Sequence, residues 1–199
     1  MSNKKSILIL GGGSDQVFMI RTAAEMGIKS IVLDQNPHCP GSELADYFEP
    51  ISTRNVGAIC EFVDSYQEEN EKIDGVSTMG SDIPHIVAQV AKHMNVPSIP
   101  LKAALLATNK YDMKRRFKEF GVKTPSFSLV RNPSDAKKIM HKFGPPIVIK
   151  PLSEAGSRGV FLLTSEKCID LNFNESLRYS NNGALLVEKF VDGPQISTE

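Results

Sequence analysis

Four consecutive apolar residues, Ile7 to Leu10, stop at Gly11-Gly12-Gly13, after which Val17, Ile20 and Ala24 recur until Gly27. A short apolar run bounded by turn residues reads as a buried strand, and recurrence at three to four residues reads as a helix. The pattern therefore predicts strand, glycine turn, helix. Ser30 to Leu33 supplies a second strand that closes at Asp34, and Asn36, Pro37, Pro40 and Gly41 mark the loop after it. Val56, Ile59, Cys60 and Val63 predict another helix, Gly75 to Thr78 a short strand, and Ile86, Val87, Val90, Ala91 and Met94 a further helix before Pro97. Strands alternating with helices in this way imply a parallel, doubly wound sheet.

Beyond Pro100 the rhythm changes, and a domain boundary is expected there. Lys102 to Thr108 and Lys110 to Phe120 read as consecutive helices, the second closed by Gly121. A strand Ser126 to Val130 follows, then a helix opened at Asn132-Pro133 and ended by Gly144, then a strand Ile147 to Lys150. Val160 to Leu163 and Leu185 to Phe190 are further strands, with a helix between Glu166 and Tyr179. The chain stops at Glu199 in another strand-like stretch. Because folded proteins avoid unpaired sheet edges, the sequence is expected to be part of a longer protein.

Composition narrows the function classes. At 199 residues with 41% hydrophobic and 23% charged residues, the chain is long enough to bury a core and unlike a disordered one. Lys plus Arg and Asp plus Glu both total 23, so no net charge draws it to nucleic acid or anionic membrane. No apolar run reaches the roughly 18 to 20 residues of a spanning helix. Cys39, Cys60 and Cys168 lack metal-type spacing and read as reduced thiols. The expected location is the cytoplasm.

Two groups of residues suggest chemistry in the first half. Gly11-Gly12-Gly13 lies between strand and helix, with Asp34 at the end of the next strand, as in a dinucleotide-binding turn, but Gln16 stands where the third glycine belongs. A tight structural turn fits equally well. Thr78-Met79-Gly80-Ser81-Asp82 also opens a helix, where exposed N–H groups and a hydroxyl suit a carboxylate; the plainer reading is an N-cap by Ser81 or Asp82.

The second half is more specific. Lys150 ends a buried strand, and Ser153-Glu154-Ala155-Gly156-Ser157-Arg158-Gly159 follows before the next strand. Two glycines admit close approach of the backbone, Ser153, Ser157 and Arg158 add donors, and Lys150 adds a point charge, as a phosphate cradle needs. With no Gly-Lys-Ser/Thr and no following helix, this is not a Walker A loop but a hairpin flap. In Leu185-Leu186-Val187-Glu188-Lys189-Phe190-Val191, period two puts Glu188 and Lys189 on opposite faces, so one of them lies inside or beside a cleft.

Taken together, Lys110 in Thr108-Asn109-Lys110, Lys150 with its glycine loop, and Glu188-Lys189-Phe190-Val191-Asp192-Gly193 resemble the ATP-grasp superfamily in order and spacing, over nearly the whole chain. The resemblance implies an α/β fold, with a Rossmann-like preATP-grasp domain over 1–100 and the N-terminal α+β portion of an ATP-grasp domain over 101–199. Its nearest relatives would be carbamoyl-phosphate-synthase-like, biotin-carboxylase-like and D-alanine ligase-like enzymes.

It also implies ATP binding by Lys110, Lys150, Ser153, Gly156, Ser157, Arg158 and Gly159 at the phosphates. Glu188 would face the adenine amino group, the main chain of Lys189 and Val191 would hold the base, and Gln195 would stand where the family usually has a ribose-binding glutamate. Gly12, Gly13, Gly80, Ser81 and Asp82 are candidate substrate contacts. The ligands of Mg2+ are expected downstream of Glu199, and neither a catalytic nor a metal-binding residue is assigned here, so this segment alone is expected to be inactive.

The intact protein would join a small carboxylate to an amine through an acyl phosphate, without nucleic-acid or membrane partners and with a homodimer left open. Rival readings are an NAD-dependent oxidoreductase, from Gly11 to Gly13 and Asp34, and a nucleotide-binding module without catalysis.

Overall fold

Strand β1 (Ser6–Leu10) lies between β2 (Lys29–Leu33) and β4 (Gly75–Ser77), and the short β3 (Tyr47–Glu49) extends the sheet beyond β2. All pairings are parallel, with Ile9 opposite Val32 and Ser77, and Ile31 opposite Tyr47. The computed structural model describes residues 4–154, 156–194 and 196. Helices α1 (Ser14–Glu25) and α2 (Val56–Glu69) connect strands of this sheet, and α3 (Pro84–Met94) follows β4. Because side chains alternate along a strand, Leu8 and Leu10 face Ile59 and Val63 of α2 and Val90 and Met94 of α3, while Ile9 and Val32 face Ile20 of α1. Helices thus cover both faces, which explains why these strands are continuously apolar.

Strand β3 was not anticipated. Three residues are too few to show an alternation, and its place is fixed by packing: the Tyr47 ring lies 5.8 Å from Phe62 and 5.1 Å from Tyr66 on α2. Two carboxylates pin the starts of the central strands. Asp46 accepts from the Ser30 N–H at 2.8 Å and from its hydroxyl at 3.1 Å, and Asp74 accepts from Lys5 Nζ and the Ser6 N–H, both at 2.9 Å. The Ser30 N–H holds the Asp46 carboxyl below the usual carboxylate range, and the Lys5 ammonium does the same for Asp74.

The chain separates into two units, Met1–Leu105 and Leu106–Glu199, and the division falls inside α4 (Leu101–Thr108). The second unit begins with α5 (Lys110–Glu119) and contains β5 (Phe127–Val130), α6 (Pro133–Phe143), β6 (Ile147–Pro151), β7 (Phe161–Leu163), α7 (Glu166–Leu177) and β8 (Leu185–Lys189). Its sheet is antiparallel in the order β5-β8-β6-β7. One face, with Val130, Ile147, Ile149, Leu163, Leu185 and Val187, packs on Met140 of α6 and Ile169 and Phe173 of α7. The other face, with Phe127, Leu129, Leu152 and Leu186, meets Tyr111 of α5.

The expected opening of α6 at Asn132-Pro133 is present, and α7 has a serine cap that the sequence reading did not name. Asn132 accepts from the Asp135 N–H with Pro133 in the first turn, and Ser165 accepts from the Cys168 N–H. Among the described residues, no helix is long and apolar enough to cross a membrane.

Candidate functional site

Helix α5 is polar almost throughout, and what fixes it is its first turn. Asn109 accepts from the N–H groups of Tyr111 and Asp112, at 3.0 and 3.2 Å, and the Lys110 N–H donates to Leu152 O at 2.9 Å. That bond ties the helix start to the end of β6. The Lys110 ammonium then reaches Glu154 O at 2.5 Å, at the root of the glycine loop.

The register of β6 against β8 sets the rest. Val148 pairs with Glu188 and Lys150 with Leu186, so Lys150 and Glu188 are diagonal neighbours on the α5 face of the sheet. Lys150 Nζ lies 2.8 Å from Glu188 Oε2. From α5, Lys114 Nζ lies 3.0 Å from Glu188 Oε1 and also donates to Thr124 Oγ1 at 2.9 Å. Glu188 is 6% exposed. A carboxylate so buried needs paired cations, and it has two. The Lys114 contact is off the line of a hydrogen bond, so Oε1 carries charge compensation without an aligned donor among the described residues.

Of the two ionisable residues on β8, then, Glu188 is the inward one and Lys189 is exposed. Where β8 ends, the Lys189 N–H donates to Ser126 O at 2.9 Å and the Phe190 N–H to Pro146 O at 3.2 Å, and Val191 beyond is 65% exposed.

The loop between β6 and β7 is anchored at its far root. Ser176 Oγ, fully buried, donates to Gly159 O at 2.7 Å, and a Cβ on Gly159 would sit 2.9 Å from both Pro151 and Tyr179. At the tip, Gly156 and Ser157 have φ of +65° and +58°, left-handed in succession, within the turn that leads from β6 to its antiparallel partner β7. Ser153, Gly156, Ser157 and Arg158 are exposed, and Arg158 pairs with Glu154 at 3.1 Å. Gln195 lies outside the described residues, as does Ala155.

The structure therefore gathers Lys110, Lys150, Glu188 and the glycine loop around the end of β6. It adds Lys114, which sequence reasoning missed. The available signal was its spacing of three residues from Tyr111 and four from Lys110, which puts it on the sheet-facing side of a helix whose overall polarity hides any apolar stripe. Three lysines, a hydroxyl-bearing turn and a buried acceptor oxygen suit an anionic ligand that also carries an amino donor, as ATP does. Among the described residues, no three His, Cys, Asp or Glu side chains come together to hold a metal.

The first unit's turns are largely engaged with themselves. Asp34 accepts from the Gly12 N–H at 2.8 Å and the Asn36 N–H at 2.9 Å, which occupies the carboxylate that a dinucleotide ribose would need. Gly41 N–H donates to Gly12 O at 2.7 Å, and a Cβ on Gly12 would lie 2.4 Å from Cys39 Sγ, so that glycine serves close packing. Gln16, where the third glycine was absent, donates to Met79 O and, at 3.4 Å, to Ser81 Oγ, joining the Gly12-Gly13 turn to the Gly80-Ser81 turn. Neither Ser81 nor Asp82 caps α3, contrary to expectation: the cap position is Ile83, without a side-chain bond, because the helix begins one turn position later at Pro84.

Residues 109–197 match the family model of the carbamoyl-phosphate synthase L chain, ATP binding domain. The formate-dependent phosphoribosylglycinamide formyltransferase of Methanococcus maripaludis is 26% identical over 197 residues, covering 96% of this chain and 49% of that protein. The N5-carboxyaminoimidazole synthetase of Staphylococcus aureus, solved with ADP, aligns with a TM-score of 0.77 at 22% identity, over 94% of this chain and 48% of its own. The biotin carboxylase domain dimer of the Hydrogenobacter thermophilus 2-oxoglutarate carboxylase, solved with MgADP and bicarbonate, aligns with a TM-score of 0.73 at 22% identity, over 94% and 44%. The chain spans about half the length of these relatives. The family match covers residues 109–197, which are similar to the ATP binding domain of the carbamoyl-phosphate synthase L chain, and the fold over most of the chain is similar to that of the two solved structures.

Proposed function

We propose that this chain supplies the nucleotide-gripping part of an ATP-dependent carboxylate–amine ligase. The observation that carries the reading is the Glu188 carboxylate, held between Lys114 and Lys150 on the sheet floor beside a left-handed glycine loop. In the bound state, Lys110 and Lys150 leave Glu154 and Glu188 for the phosphates, with Ser153, Gly156, Ser157, Arg158 and Gly159 closing over them. Glu188 accepts from the adenine amino group, the main chain of Lys189 and Val191 holds the ring, and Gln195 meets the ribose. These groups position and compensate charge; none is a general base.

In the whole protein, a carboxylate oxygen attacks the γ-phosphorus, ADP leaves, and an amine then displaces phosphate from the acyl carbon. Magnesium, if bound, would neutralise phosphate charge, with its ligands expected from beyond residue 199. Gly12, Gly13, Gly80, Ser81 and Asp82, which Gln16 draws into one turn cluster, are offered to a substrate anion. We place the protein in the cytoplasm, with a homodimer compatible with the dimer named for the Hydrogenobacter thermophilus domain.

Calorimetry with Mg-ATP and the full-length protein tests the reading. Lys150→Ala is expected to weaken binding about ten- to a hundredfold, the worth of a charge-assisted phosphate contact. Unaltered affinity in that variant rejects the phosphate role.

A further inference from the structure

We propose that Lys114 is a positioning residue for purine choice: it fixes the Glu188 carboxylate as an acceptor for an exocyclic amino group once Lys150 has turned to phosphate. The inference rests on the nucleotide reading above and goes beyond it by naming what holds the base-reading group in place.

The two lysines that grip Glu188 are not equivalent. The Lys150 side chain is 20% exposed and stands at the end of β6, next to the loop. The Lys114 side chain is 11% exposed, comes from the second turn of α5, and is held from its other side by Thr124 Oγ1. On the neighbouring strands, the residues paired with Glu188 are Phe127 and Val148, neither of them charged. When Lys150 moves to an arriving phosphate, Lys114 is the remaining counter-charge among the described residues, and its geometry at Oε1 decides where the carboxylate points. A carboxylate held in this way accepts from the 6-amino group of adenine and repels the 6-oxo group of hypoxanthine. Without Lys114 the acceptor loses both its orientation and its compensating charge, and the preference for adenine falls.

The test compares the affinities of the full-length protein for ATP and ITP by calorimetry. Lys114→Met is expected to lower the ATP-over-ITP ratio about tenfold, the worth of one charge-assisted hydrogen bond. Lys114→Arg is expected to keep most of the ratio. In a Glu188→Gln background, Lys114→Met should change the ratio no further, because Lys114 acts through that carboxylate.

A lysine that merely clips α5 to the sheet would weaken both nucleotides alike. An unchanged ratio in a folded Lys114→Met protein that still binds ATP therefore overturns this proposal alone. A wild-type protein that binds neither nucleotide overturns the nucleotide reading, and this proposal with it. Should Lys114→Met not fold, Thr124→Val removes one hydroxyl that holds the ammonium: a fall in the ratio of about threefold is expected, and no fall overturns the proposal.

Discussion

Cys168 shows how far a few polar atoms shift a side chain's chemistry. Hydrogen bonds from Ser165 and Thr164, at the opening of α7, bring its thiol down to about 7. Burial pushes the Cys60 thiol up from 9.0. Alkylation with iodoacetamide, followed by peptide mass spectrometry across pH, is expected to give Cys168 a half-maximal rate near pH 7 and Cys60 one above 9.0. Ser165→Ala should move the Cys168 midpoint upward, since the largest stabiliser of its thiolate is gone. Sequence alone gave three unpaired thiols but not this difference, which lies in the placement of two hydroxyls. Glu188 is a similar case: period two required one of Glu188 and Lys189 to face inward, and the packing of β8 against α5 selects the acid. The helical spacing of Lys114 could place it on the sheet-facing side, but its partner, 74 positions away, is met only through the tertiary fold.

Strand starts are the weak points of a short parallel sheet, and here they are held by carboxylates. Asp46 lies below its ordinary value in the folded protein, so the stability it contributes is fully present above the unfolded value near 3.8 and is lost as pH falls through the lower folded one. Asp74 has the same sign. The expected outcome is that Asp46→Asn lowers the melting temperature at pH 7 but flattens its decline below about pH 4, where the wild type loses this contribution. A parallel slope in the two proteins would show that Asp46 does not carry the acid sensitivity.

Element by element, β1, β2, β4 and the helices of the first unit were readable from apolar runs and helical periods bounded by turn residues. The three-residue β3 was not, because its position is set by aromatic packing against α2. The opening of α3 was misread since Ser81 and Asp82 offer capping chemistry that Pro84 makes redundant.

At the scale of the whole molecule, the structure has two separately cored units, one with a parallel and one with an antiparallel sheet; the change in rhythm after Pro100 and the three ordered motifs were visible in the sequence. What brings the motifs together was not: the β6–β8 register, the Leu152 carbonyl that seats α5, and the third lysine are all long-range features.

The lysine–carboxylate pairing at Lys150 has a consequence for how such a pocket responds to its surroundings. A site whose cation waits in solvent is shielded by dissolved ions, and its hold on a polyanion decays steeply as salt is added. Here the cation waits against an internal acid at 2.8 Å, so under the proposed function an incoming triphosphate would displace a tethered rival rather than a mobile one. Titrations of Mg-ATP at rising potassium chloride are expected to show a shallow loss of affinity in the wild type and a steeper one in Glu188→Gln, where free anions in the buffer take over the competitor's place.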